Sequence, residues 1–344
     1  MKFLIKLLTF WIPVKSWRKK IRLNLQRKLL SKSLIAKLSK KYPDSVFLQS
    51  PHAGIGEFIQ SLCLMKEVKK KIGKNIVIVT NKKIESQICK LYEQTIDCCF
   101  DKDFEPCSSV KMEEKLKVNN IYPMYQLPNK NSAKRKYDIE FLKDFFGLDE
   151  NAKIEKIKPK RPKDVSDKFL TLENIFKSHK TILLFPDANT YDSTVISDEF
   201  WIDIAKELNK KGYHCVFNSP KTFNGFENIF LPLDETVYLS SLADGIISFR
   251  SGLSELLAVT TKCKMLVFYP NGTSHLFRKE CQVSIDDFKK RIENMPLILR
   301  DKNNPVISTF HVGSLSCNFD RDNCKDFYYN FDNAKLFNFV KSEF

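Results

Sequence analysis

The stretch at 245–270, GIISFRSGLSELLAVTTKCKMLVFYP, decides the fold. GIISF is an apolar run that stops at Arg250. Ser251-Gly252 follow, and an apolar helical pattern starts at once. KMLVFYP is a second apolar run of strand length. Two strands that are apolar throughout, joined by a helix, belong to a parallel sheet with helices on its faces. The turn sets a permanent cation and a glycine where the strand hands over to the helix. The first N–H groups of that helix have no intrahelical partners, and the helix dipole adds positive potential there. A diphosphate fits such a place: Arg250 offers a bidentate fork, Ser251 caps or donates, and Gly252 lets a phosphate approach. The same residues also spell a capped helix whose arginine pairs with a nearby carboxylate.

Working outward, the alternation continues on both sides. KTILLFP, YHCVFNSP and the short NIFLPL read as strands. SDEFWIDIAKELNKKG reads as a helix with Phe200, Trp201, Ile204, Ala205 and Leu208 on one face and Gly212 as its stop. ETVYLSSLAD is a further helix, and the aromatic-rich end of the chain is a terminal one. Upstream, SVFLQS, NIVIVT, TIDCCF and NNIYPMYQL are apolar runs separated by helical patterns in FIQSLCLMKEVKKKIG, KIESQICKLYEQ and IEFLKDFFGL. The intervening NAKIEKIKPKRPKDVSDK is polar and basic, which suits a linker. The expected fold class is therefore α/β: two Rossmann-like parallel-sheet domains facing a cleft, preceded by a basic amphipathic helix. The expected boundaries are an arm at 1–43, a first domain at 44–150, a linker at 151–178, a second domain at 179–320 and a C-terminal helix at 321–344.

The formal charge of +16 suggests a nucleic-acid binder until it is located. Residues 1–43 hold 13 Lys or Arg and no Asp or Glu, so the rest of the chain carries 44 basic against 41 acidic residues. A basic arm on a nearly neutral body is not a basic groove, and no nucleic-acid partner is expected. In the arm, Lys6 and Pro13 interrupt the apolar residues far short of the ~20 needed to cross a bilayer. Trp11 and Trp17 among lysines and arginines have the composition of a helix lying at a membrane interface. The same pattern also fits a solvated helix packed on its own domain. The 10 cysteines include no C-x-x-C pair. Cys98, Cys99 and Cys107 lack zinc-ligand spacing, and reduced cysteines are the reading.

The first domain has its own strand-to-helix turn, SPHAGIGEF at 50–58. His52, Gly54 and Gly56 form its loop, with the glycines allowing a tight turn. Glu57 falls in the first helical turn, where a carboxylate is welcome and can accept a proton from a hydroxyl; as a plain helix-start residue it needs no function. FPDANTYDST, after KTILLFP, is a third loop at the same kind of sheet edge.

Taken together, these turns resemble the ADP-heptose:lipopolysaccharide heptosyltransferase family among the GT-B glycosyltransferases. GIGEFIQSLCLMKEVKKK is similar to that family's opening turn, with Glu57 where the family has an aspartate as proposed general base. ILLFPDANTYDSTVISDEFWIDIAKELNKKGYHCVF is similar in layout to the opening of its second domain. Arg250-Ser251-Gly252 stands at its donor turn, with Arg250 in place of aspartate and Glu255 near a family histidine. Those departures leave heptose as donor unsupported. The resemblance implies metal-independent, inverting transfer of a sugar from a nucleotide-sugar donor to a lipid-linked surface glycan, as in lipopolysaccharide or capsule synthesis. It implies Glu57 as base, Arg250, Ser251 and Gly252 on the diphosphate, Glu255 and Asn189 toward the donor ribose or base, and no cofactor or metal. Glu255 facing solvent is the alternative for that residue. The implied location is cytoplasmic, on the inner face of the membrane, with an anionic membrane surface as partner. Three other readings stand beside it: a metal-dependent GT-A transferase using Asp101 and Asp103 of CCFDKDFEP, a non-catalytic nucleotide- or membrane-binding scaffold, and a phosphotransferase acting on a polyol or sugar phosphate through the same anion turn.

Overall fold

The computed structural model describes residues 7–50, 54–102, 104, 121–123, 139–188, 196–249, 251–270, 307–312, 338, 340–342 and 344. It divides into two compact units, Met1–Lys136 with Glu140–Glu155, and Tyr137–Ile139 with Lys156–Phe344.

The first unit runs α1 (Lys15–Lys41), β1 (Ser45–Gln49), α2 (Ile55–Leu62), α3 (Met65–Ile72), β2 (Asn75–Thr80), α4 (Lys83–Leu91), β3 (Asp97–Phe100), β4 (Ile121–Pro123) and α5 (Ile139–Phe146). Its four strands are parallel in the order β3-β2-β1-β4. β2 is buried from Ile76 to Thr80, as its unbroken apolar run requires of a strand covered on both faces. The C-terminal end of α1 belongs to this core: Leu38 packs with Phe47, Val77, Val79 and Phe104, and Leu34 and Tyr42 lean on the same cluster. Those turns are therefore part of the domain and not of a free arm.

The single helix expected over FIQSLCLMKEVKKKIG is two helices, broken at Cys63-Leu64. In a continuous helix the Cys63 carbonyl would accept from Glu67. Here Glu67 N–H donates to Leu64 instead, and the Cys63 carbonyl accepts from the backbone N–H of Glu155 at 2.7 Å. A residue far along the chain takes the acceptor that the helix would have used. Gly73, left-handed at φ 65°, then closes α3, a conformation that suits glycine.

The second unit runs α6 (Asp167–Ser178), β5 (Thr181–Phe185), α7 (Asp198–Lys210), β6 (His214–Asn218), β7 (Glu227–Ile229), α8 (Leu233–Leu242), β8 (Gly245–Phe249), α9 (Gly252–Thr260), β9 (Lys264–Pro270) and β10 (Ile307–Val312). The six strands are parallel in the order β10-β9-β8-β5-β6-β7. β5 and β8, side by side at the centre, are buried at every residue. α7 starts at Ser197, whose hydroxyl accepts from Phe200 N–H at 3.2 Å, and buries Phe200, Trp201, Ile204, Ala205 and Leu208 on the sheet. Truncating Trp201 in this core would cost roughly 3–5 kcal/mol. β10 has no counterpart in the sequence reading, because Ser308, Thr309 and His311 interrupt its apolar pattern.

The segment expected as a linker at 151–178 is structured through much of its length. Ser166 caps α6, which buries Phe169, Leu172 and Phe176. Arg161 clamps Glu173 with Nε and Nη2 at 3.0 and 2.9 Å, and Lys177 and the Tyr238 hydroxyl reach the same carboxylate. The apolar spacing inside DKFLTLENIFKS outweighs the basic composition that precedes it. Of the expected C-terminal helix, turns at 338 and 340–342 are described, and Val340 joins the second core.

Candidate functional site

Sheet order locates the candidate sites. In a parallel α/β sheet, ligands gather beyond the carboxyl ends of the strands, at the point where chain progression reverses direction. In the first unit β1 lies between β2 and β4, so the turn after β1 opens at the reversal. In the second unit β5 leads through β6 to β7 on one flank, while β8 returns to its other side. The turns after β5 and β8 meet that reversal. All three turns are those singled out from sequence.

After β1, Ser50 is buried and donates its N–H to Val79 at 3.1 Å. Gly54 is the N-cap of α2, and Glu57 is its third helical residue. Gly54 has φ −73° and ψ 174°, a conformation open to any residue. A tight turn is therefore not what needs its glycine, contrary to the expectation from sequence. The reason lies in the side chain above it: a β-carbon on Gly54 would stand 2.8 Å from Glu57 Oε2. Glu57 is half-buried, and its carboxylate folds back over the start of its own helix, toward the positive end of the dipole. Gly56 lies within α2. His52 lies outside the described residues.

After β8, Ser251 is the N-cap of α9 and forms a reciprocal box with Ser254. Ser254 N–H donates to Ser251 Oγ at 3.2 Å, and Ser251 N–H to Ser254 Oγ at 2.8 Å. Ser254 Oγ also donates to the Ser251 carbonyl at 2.7 Å. The two readings of this turn are thus partly one: Ser251 caps, and the capping fixes which amides remain. The third helical N–H is used, which leaves those of Gly252 and Leu253 as the ones that the helix start presents outward. Ser254 was missed in the sequence, although Ser-x-x-Ser ahead of an apolar helical run is a close relative of the capping-box pattern.

Glu255 is fully buried. Its expected alternative, a solvent-facing glutamate, is overturned: α9 is buried from Ser254 to Thr260, so its fourth residue points into the unit. Arg250 and Asn189 lie outside the described residues. In the turn after β5, the Asp187 carboxylate accepts a hydrogen bond from the Ser219 hydroxyl at the end of β6. Ser219 Oγ in turn accepts from Lys221 N–H at 3.0 Å. This link ties two carboxyl-edge turns together, and nothing in the local sequence announces it.

Asp101 closes edge strand β3, with its N–H on the Thr80 carbonyl at 3.0 Å. Asp103 and Cys107 lie outside the described residues, and Cys98 and Cys99 sit on β3. Among the described residues, no group of three or more His, Cys, Asp or Glu is placed to hold a metal ion.

No family model and no curated protein matches the chain. Solved structures do. A glycosyl transferase family 9 protein from Veillonella parvula superposes with a TM-score of 0.53 at 8% identity, covering 88% of this chain and 97% of that one. The iron-containing dodecameric glycosyltransferase TibC from enterotoxigenic Escherichia coli gives a TM-score of 0.50 at 13% identity, over 86% of this chain and 75% of the other. The E. coli ADP-heptose lipopolysaccharide heptosyltransferase II gives 0.43 at 11% identity, over 86% and 98%. The fold is that of the GT-B glycosyltransferases.

Proposed function

We propose that this protein is a glycosyltransferase that moves a sugar from a nucleotide-sugar donor to a lipid-linked glycan. The observation that carries the reading is chemical placement on a shared fold. The turn at the reversal point of each sheet offers the type of group that one half of such a reaction needs, a carboxylate in the first unit and a helix start suited to an anion in the second.

Glu57 accepts the proton of the acceptor hydroxyl as its oxygen attacks the anomeric carbon. The bond from that carbon to the diphosphate breaks, and the diphosphate leaves with the electron pair. The amides of Gly252 and Leu253, with the Arg250 guanidinium, stabilise the charge on the leaving group. Donors preorganised in this way are each worth roughly 3–4 kcal/mol of barrier, about 10²–10³ in rate. A single displacement inverts the anomeric centre. The chemistry asks for no metal, because backbone amides and a guanidinium do the neutralising. Surface polysaccharide or lipopolysaccharide assembly at the cytoplasmic face of a membrane is the setting that suits such an acceptor, and the basic N-terminal residues favour an anionic surface.

The test is a thermal-shift panel of nucleoside diphosphates and nucleotide sugars on the full chain, repeated with Arg250→Ala. One nucleotide should raise the melting temperature selectively. The variant should bind it about 1.5–3 kcal/mol more weakly, the scale of a charged hydrogen bond. No shift with any nucleotide, or equal binding by the variant, would overturn the assignment.

A further inference from the structure

The segment that leads into α1 has no part in the transfer chemistry, yet it is built. The chain from Leu7 to Val14 folds back as a hook on the start of α1. Arg18 Nε donates to the Ile12 carbonyl at 2.8 Å, and Arg22 Nε donates to Thr9 Oγ1 at 3.0 Å. Thr9, within the hook, is buried. Its neighbours point outward: Leu8 is 65% exposed, Phe10 64%, Trp11 84%, and Trp17 on the first turns of α1 is 65% exposed. The Phe10 and Trp11 rings meet edge to face, with centroids 5.8 Å apart. Water-exposed aromatics held in a fixed shape by two arginines are not a frayed terminus.

Charge chooses the partner. Lys15 and Lys19 are exposed on the same first turns of α1 that carry Trp17, and residues 1–43 contain no acidic side chain. A second copy brought to this face would set one cationic surface against another. Among the described residues, the part of α1 that packs on the first core is Leu34 and Leu38, with the C-cap Tyr42, at its other end. The 27-residue helix is about 40 Å long, so the hook stands far along it from that anchorage. We propose that the hook is a docking wedge for an anionic lipid bilayer. Phe10, Trp11 and Trp17 enter the headgroup layer, Lys15 and Lys19 meet lipid phosphates, and Arg18 and Arg22 are spent on holding the wedge in shape. This reading is independent of the transfer chemistry.

The experiment uses the full chain with vesicles of phosphatidylcholine alone or mixed with phosphatidylglycerol. Flotation should carry the protein with the anionic vesicles and leave it behind with the neutral ones. Tryptophan emission should move to the blue, with Trp11 and Trp17 becoming shielded from iodide. The third tryptophan, Trp201, is buried and supplies a constant background. Trp11→Ser and Trp17→Ser should each weaken binding by about tenfold or more, the scale of one lost aromatic burial, with unchanged melting temperatures. Absence of the protein from floated anionic vesicles would overturn the proposal. So would full binding by the double variant, or a concentration-dependent oligomer that the two substitutions abolish.

Discussion

Glu57 and Gly54 are coupled: the glutamate carboxylate occupies the space that a side chain at position 54 would fill, with Oε2 2.8 Å from the site of a β-carbon. The contact is with the end of a flexible side chain, so a methyl group there is accommodated by moving the carboxylate and not by unfolding the helix. Gly54→Ala should therefore leave the melting temperature nearly unchanged while lowering the rate of sugar transfer. Glu57→Gln should lower that rate by about 10²–10⁴, the usual contribution of a positioned general base. Transfer at the parent rate by Glu57→Gln, measured once the donor is identified, would remove Glu57 from the mechanism.

The reciprocal box at α9 separates stability from binding. Ser251→Ala deletes the acceptor for Ser254 N–H and should destabilise the protein by about 0.5–2 kcal/mol in denaturant titration. It also loosens the helix start that presents the Gly252 and Leu253 amides, so nucleoside-diphosphate affinity should fall with it. Ser251→Asp restores a capping oxygen but brings a negative charge to the proposed diphosphate position. It should recover the stability and not the affinity.

Glu173 makes an acid-sensitive lock. Hydrogen bonds from Arg161 first, and then from Lys177 and Tyr238, lower its pKa to about 2 despite its burial. A carboxyl depressed in the folded state contributes stability that is present above its unfolded value and is lost as pH falls through the folded one. Melting temperature should drop between about pH 4.5 and about pH 2, beyond what Glu173→Gln shows over the same range. Parallel pH profiles for the two proteins would refute this role.

The thiols should not react alike. Cys89 and then Ser86 donate hydrogen bonds to Cys98, which holds its thiol below the usual range. Burial pushes Cys215 up to about 12 and Cys263 up to about 11. Iodoacetamide at neutral pH should label Cys98 well before Cys215 and Cys263, and Ser86→Ala should slow that labelling. Mass spectrometry of a short time course checks the order, and uniform labelling would contradict it.

Much of this molecule is legible in one dimension because its signals are periodic. NIVIVT, KTILLFP and GIISF announce buried strands by unbroken apolarity, and Phe200, Trp201, Ile204, Ala205 and Leu208 announce a helix by spacing. The three candidate turns are visible for the same reason, since each is what lies between two such patterns. Ser254 could have been found from its spacing to Ser251. The link from Asp187 to Ser219 could not, because 32 residues separate its ends.

By itself, then, the sequence determined the alternation of strands and helices, their parallel class and the residues offered at each turn, all of which follow from local apolar spacing and punctuation. Only the tertiary structure decided the strand order that makes the turns after β1, β5 and β8 reversal points, and the break at Cys63 where Glu155 takes the helix acceptor. It likewise turned Gly54 from a bend into room for a carboxylate, and buried Glu255. These depend on hydrogen bonds and steric contacts made in three dimensions, whose partners are set by how the chain packs and not by the residues beside them.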